Sequence, residues 1–152
     1  MARAIHCLII SPRFTEDSFW NCLATCELVG ASYSSPPLGL TTVAAMLPRE
    51  WELQLIDRNI EELDISLWDW ADLIMIGCML PQQLDAIQLI REARQRGKTV
   101  VVGGPDPSSS PNVYREASHL VLGEAEITLP HFLEDWENGS AKSEYTTTEF
   151  AE

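Results

Sequence analysis

Positive charge is what this 152-residue chain has least of: Lys and Arg number 10 against 23 Asp and Glu, a formal net charge of −13. Nucleic-acid recognition relies on clustered Lys and Arg that neutralise phosphates, so a nucleic-acid partner is excluded on charge. Anionic membrane surfaces are disfavoured on the same ground. No apolar run approaches the roughly 20 residues of a spanning helix, so no transmembrane segment is expected. Nor does a basic stretch, an apolar segment and a small-residue cleavage site open the chain, and a cytoplasmic location is the expectation. The four cysteines, Cys7, Cys22, Cys26 and Cys78, are too few and too apolar in setting for a disulfide framework and read as reduced thiols.

What the chain does have is alternation of short apolar runs with helical periodicity, at a length that can bury one full core without staples. Residues 98–111, KTVVVGGPDPSSSP, organise the rest. Three consecutive valines suit a strand buried on both faces of a parallel sheet, and Gly103-Gly104-Pro105 ends it by removing two Cβ atoms and then a donor. Residues 4–11, 71–77 and 119–122 read as further strands, while 51–57, WELQLID, alternates as a half-covered edge strand does. Helices fall between them. One over 37–47 turns Leu38, Thr42, Ala45 and Met46 inward, a short one over 61–70 buries its tryptophans, one over 82–96 turns Leu84, Ile87, Leu89, Ile90 and Ala93 inward, and one runs from 124 to 138. Residues 13–36 carry Phe14, Phe19, Trp20 and Tyr33, more aromatic surface than a plain connection, and read as a lid. The polar residues 139–152 read as a linker or disordered tail after a domain at 1–138. The fold class is α/β, a flavodoxin-like or Rossmann-like doubly wound five-stranded parallel sheet of order 2-1-3-4-5.

Right-handed crossovers place every strand-to-helix loop on one rim. That rim gathers Ser11 to Phe14, Asp57 to Asn59, Gly77 to Leu80, Gly103 to Asp106, and Gly123-Glu124, and it is the candidate site. SPRFTEDSF, after the first strand, holds no glycine to bring backbone N–H groups to a pyrophosphate, which excludes a dinucleotide; a flavin phosphate loop is lacking too. Ser11-Pro12 and Gly77-Cys78 stand where a phosphoacceptor domain needs carboxylates. Asp57 reads as a loop-capping carboxylate.

The segments PPLGLTTVAAMLP, WELQLIDRN, WADLIMIGCM, GKTVVVGGPDPSSSP and LVLGEAE, in this order and spacing, resemble the N-terminal cobalamin-binding domain of B12-dependent radical S-adenosylmethionine enzymes, over roughly residues 5–139. The resemblance implies cobalamin as cofactor, bound by Pro12, Arg13, Phe14, Gly77, Cys78, Met79, Gly103, Gly104, Pro105, Gly123 and Glu124, with no catalytic or metal-binding side chain in this chain. By the same resemblance, Gly103 and Gly104 would line a groove for the nucleotide tail, Met79 and Gly77-Cys78 would lie near the corrin's lower face, and Gly123-Glu124 would meet its amide arms. It further implies a radical S-adenosylmethionine barrel in cis, beyond this chain, holding S-adenosylmethionine and a [4Fe-4S] cluster at a C-x3-C-x2-C run and acting, as a methyltransferase for example, on a small-molecule or lipid-like substrate. Cys22 and Cys26 share the first spacing of that run, but Val29 takes the third place, so no such cluster forms here. The D-x-H-x-x-G run that supplies an axial histidine is also missing, and His6, His119 and His131 lie elsewhere. Base-off cobalamin without a protein histidine ligand is therefore the expectation. An alternative stays open: a domain that kept the fold, lost the cofactor and serves as a non-catalytic docking or substrate-recognition scaffold. Gly104→Trp is expected to separate the two by blocking uptake while leaving folding nearly intact.

Overall fold

The computed structural model describes residues 4–16, 18–31 and 36–151, so Tyr33 of the aromatic connection lies outside the described residues. Its strands are β1 (His6–Ser11), β2 (Glu52–Asp57), β3 (Leu73–Gly77), β4 (Thr99–Gly103), β5 (His119–Val121) and β6 (Glu144–Tyr145). All pair in parallel, in the order β2-β1-β3-β4-β5-β6. The expected order holds, with one strand added. That sixth strand comes from the stretch read as polar linker: Leu120 N and Leu122 N donate to Ser143 O and Tyr145 O, and the buried Tyr145 ring packs edge-on to Phe132.

The helices are α1 (Leu23–Val29), α2 (Leu38–Met46), α3 (Ile65–Trp70), α4 (Gln83–Gln95), α5 (Pro105–Ser109) and α6 (Ala125–Glu137), with 3-10 turns at Phe19–Asn21, Leu80–Gln82 and Pro111–Tyr114. Alternation along the strands divides the core. Leu8, Ile10, Ile74, Ile76, Val100 and Val102 face α3 and α4, whereas Cys7, Ile9, Leu73, Met75, Val101 and Val121 face α2 and α6. With both faces covered, the central strands are apolar throughout, and the edge strand β2 alternates as its sequence does. Among the described residues no helix is long and apolar enough to cross a membrane.

Two helix faces differ from expectation. In α4 the buried positions are Ala86, Leu89, Ile90 and Ala93, and Leu84 is exposed because the helix begins only at Gln83, where its first turn overhangs the strand ends. In α2 it is Leu40 that is buried, while Leu38, Thr42 and Ala45 are exposed. α2 is apolar nearly all round, so spacing alone cannot pick its inner side.

Candidate functional site

The carboxyl ends of the strands open into a cavity of about 560 Å³ that runs from the rim down the sheet face between α2 and α6. Its floor is Met75, Val101 and Val121; Leu40 and Val43 of α2 wall one side, Ala125 and Leu129 of α6 the other. Trp20, Leu38 and Met79 stand at the mouth with 56%, 67% and 36% of their surface exposed. Such volume and apolar walls are those of a small-molecule site, typically about 300–1,000 Å³.

Two backbone turns shape the rim, and both depend on glycine. Gly104 has φ +109°, and a Cβ there would lie 2.7 Å from the Cys78 carbonyl oxygen; one on Gly103 would lie 2.7 Å from the Val121 carbonyl oxygen. The two glycines therefore meet their neighbouring loops through bare backbone. This overturns the expected use of Gly104→Trp: the side chain would collide with the turn at Cys78 and unfold the loop rather than fill the cavity. Gly39, at the mouth on α2, has among the described residues no atom beyond its own helix backbone and chain neighbours within 4 Å of the point a Cβ would occupy, and is the place where a large side chain fits.

A buried polar cluster ties the same turns together from the opposite sheet face. The Cys78 S–H donates to Tyr114 Oη at 3.3 Å, the Tyr114 O–H donates to Asp106 Oδ2, and Gln83 Nε2 donates to Asp106 Oδ2 at 2.8 Å. Tyr114 is fully buried and Asp106 is 5% exposed. Burial pushes the Cys78 thiol up to about 11, with the Asp106 charge adding to it against the hydrogen bond to Tyr114. Burial, then the bond to Asp106, pushes the Tyr114 phenol well above its ordinary range. The thiol and the phenol thus stay protonated at neutral pH, and the cluster holds the loops after β3 and β4 at fixed height.

A second network positions the loop after β1. Pro12 is buried, and its carbonyl accepts from Asn59 Nδ2 at 3.1 Å and Gln82 Nε2 at 2.6 Å; Asn59 Oδ1 accepts from Phe14 N, and Gln82 Oε1 from Met79 N. Arg13 N donates to Asp85 Oδ2, which also pairs with Arg58, and the Arg13 guanidinium pairs with Glu62 at 2.8 Å. Asp57 Oδ1 accepts from Asn59 N and Nδ2, the loop-capping role its sequence position indicates.

Of the residues singled out in the sequence, Phe14, Gly77, Cys78, Met79, Gly103, Gly104, Pro105 and Gly123 line the cavity. Cys78 does so through its backbone, its thiol being turned away toward Tyr114. Pro12, Arg13 and Glu124 are not in the wall. Pro12 and Arg13 hold the loop, and Glu124 precedes α6 without a side-chain bond to its first turn. Sequence reasoning placed Ser11, Asp57 and Asn59 on the rim without giving them a binding role, and it missed Gln82 and the groove's own walls on α2 and α6. The pairing of β1 with β2 sets Ser11 beside Asp57 and so fixes the groove's polar end. The histidines lie off the cavity: His6 and His119 begin β1 and β5, on the opposite rim, and His131 is on the exposed side of α6.

Residues 28–133 match the model of the B12 binding domain, a span that runs from the end of α1 into α6 and takes in β2 to β5. The chain belongs to the B12-binding domain family. Named proteins are similar to it: an uncharacterized methyltransferase of Synechocystis sp. is 44% identical over 89% of this chain and 25% of that protein. A hopanoid C-2 methylase of Rhodopseudomonas palustris is 31% identical over 77% of this chain and 22% of its own length, and a bacteriochlorophyllide d C-8(2)-methyltransferase of Chlorobaculum tepidum 27% over 74% and 25%. This B12-binding domain spans about a quarter of the length of the curated relatives it matches.

Proposed function

We propose that this chain is the cobalamin-binding module of a B12-dependent radical S-adenosylmethionine methyltransferase. The observation that carries the reading is the open groove between α2 and α6, which begins at the glycine turns of β3 and β4 and descends an apolar sheet face. A corrinoid with its nucleotide tail detached from cobalt offers a flat disc and a slender arm, and the residues fit both parts. Met75, Val101, Leu40 and Leu129 would hold the tail. Phe14, Met79, Pro105 and Gly123 at the rim would support the disc, and Trp20 at the mouth would shield it from water. The tail so held makes the cofactor base-off, and the placement of all three histidines away from the cavity supports a cobalt without a protein histidine ligand.

When bound, cobalamin supplies a cobalt centre able to carry a methyl group. The chain's own part is to bind, orient and dehydrate it; the Cys78–Tyr114–Asp106 cluster keeps the supporting turns rigid. The remainder of the reading concerns a larger protein: a barrel in cis holding S-adenosylmethionine and a [4Fe-4S] cluster, a small-molecule or lipid-like substrate, and a cytoplasmic setting. The names of the hopanoid C-2 methylase and the bacteriochlorophyllide d methyltransferase support that substrate class.

Titration with hydroxocobalamin, followed by the visible spectrum and co-elution on gel filtration, tests binding. After reduction to cob(II)alamin, electron paramagnetic resonance should show no nitrogen splitting from an axial base. Splitting that changes on 15N-histidine labelling would refute the ligand assignment, and failure to co-elute would refute the cofactor.

A further inference from the structure

The cavity wall is apolar except at one end, beneath β1 and β2, where Ser11, Asp57, Asn59 and Gln82 stand together. Asn59 and Gln82 spend their amides on the protein, on Pro12, Phe14, Met79 and Asp57. Asp57 is different. Its Oδ1 takes both bonds from Asn59, while among the described residues no donor reaches Oδ2. Asp57 as a residue is 7% exposed, and among the described residues it is the one charged side chain in the cavity wall, so its surface opens onto the cavity. A ligand that fills the cavity takes solvent from that carboxylate oxygen, which is costly unless the ligand itself donates a hydrogen bond to it.

Resting on the cobalamin reading above, we infer that Asp57 Oδ2 accepts a hydrogen bond from a carboxamide N–H on the corrin periphery, and so selects fully amidated corrinoids over those with free carboxylate arms. A carboxamide donates two N–H groups, whereas an ionised carboxylate donates none and sets a second negative charge against Asp57. In an apolar-walled cavity that repulsion is poorly screened. Specificity then comes from a repulsive element as much as from a new contact.

The chain and its Asp57→Asn variant are titrated by visible spectroscopy with hydroxocobalamin, its three monocarboxylate hydrolysis products, and cobinamide. Wild type should bind at least one monocarboxylate about tenfold or more weakly than hydroxocobalamin, and Asp57→Asn should narrow that gap to about threefold or less. Asn59→Ala, which removes the side-chain bonds to Pro12, Phe14 and Asp57 but keeps the carboxylate, should weaken amidated and acidic ligands alike and retain the gap. A gap that survives Asp57→Asn, or closes in Asn59→Ala, overturns the inference, as does equal wild-type affinity for amides and acids. Cobinamide lacks the nucleotide tail, so Asp57→Asn must weaken it as much as it weakens hydroxocobalamin; a loss confined to hydroxocobalamin would put the donor on the tail and overturn the corrin assignment. Wild type that binds no corrinoid refutes the cofactor reading itself.

Discussion

Gly104 shows how single residues set the site. Its φ of +109° and the Cys78 backbone 2.7 Å from a Cβ position leave no room for any side chain, so Gly104→Ala should cost at least about 2 kcal/mol in urea denaturation. Tyr114→Phe leaves the buried Asp106 carboxylate with Gln83 as its remaining side-chain donor among the described residues; a loss of about 1–3 kcal/mol is expected in the same assay. The cysteines give a chemical readout. Burial pushes Cys7 up to about 12 and Cys78 to about 11, and Cys26 is buried, while Cys22 is exposed. Iodoacetamide at pH 8 followed by peptide mass mapping should therefore label Cys22 alone in the native protein and all four in denaturant. The glycines and Cys78 were legible as a rim from sequence, but not what each bare α-carbon packs against: Leu40 for Gly77, the Val121 carbonyl for Gly103 and the Cys78 backbone for Gly104.

Whole elements were legible in proportion to how far their own pattern decides them. The valines of β4 and the apolar runs of β1 and β3 are buried on both faces, and continuous apolarity says so. β6 could not be read, because two residues in a polar stretch become a strand only through β5 and α6. Its anchor is Tyr145, whose O–H donates to Asp135 Oδ2 at 2.9 Å and whose oxygen accepts from Lys142 N at 2.8 Å. The bond from Tyr145 holds the Asp135 carboxyl below its ordinary range, with Lys142 adding to the effect. A depressed folded-state value contributes stability that is present above the ordinary carboxylate pKa and is lost as pH falls through the folded value. The stability difference between wild type and Tyr145→Phe should accordingly be largest above about pH 5 and shrink toward about pH 2 in a series of urea denaturations.

At the scale of the molecule, a doubly wound sheet places its loops on one rim and its crossover helices on both faces. The parallel sheet was legible because strands alternate with helices, and the edge place of β2 because its own pattern is that of a half-covered strand. The groove was not legible. It exists because α2 meets the sheet through Leu40 while its amino end, Leu38 and Gly39, stands off from α6 across the cavity mouth, a separation no local pattern encodes. Gly39 is therefore the position at which to block the groove. Gly39→Trp builds its side chain out from a point that, among the described residues outside its own helix backbone and chain neighbours, has no atom within 4 Å, and it replaces a poor helix former, so folding should be unharmed. Hydroxocobalamin binding by isothermal titration, wild type against Gly39→Trp, tests the central claim most directly. One-to-one binding by the wild type is expected, with a loss of at least about a hundredfold in the folded variant, on the scale at which an overfilled pocket rejects its ligand. Equal binding by the two proteins, or none by the wild type, would contradict it.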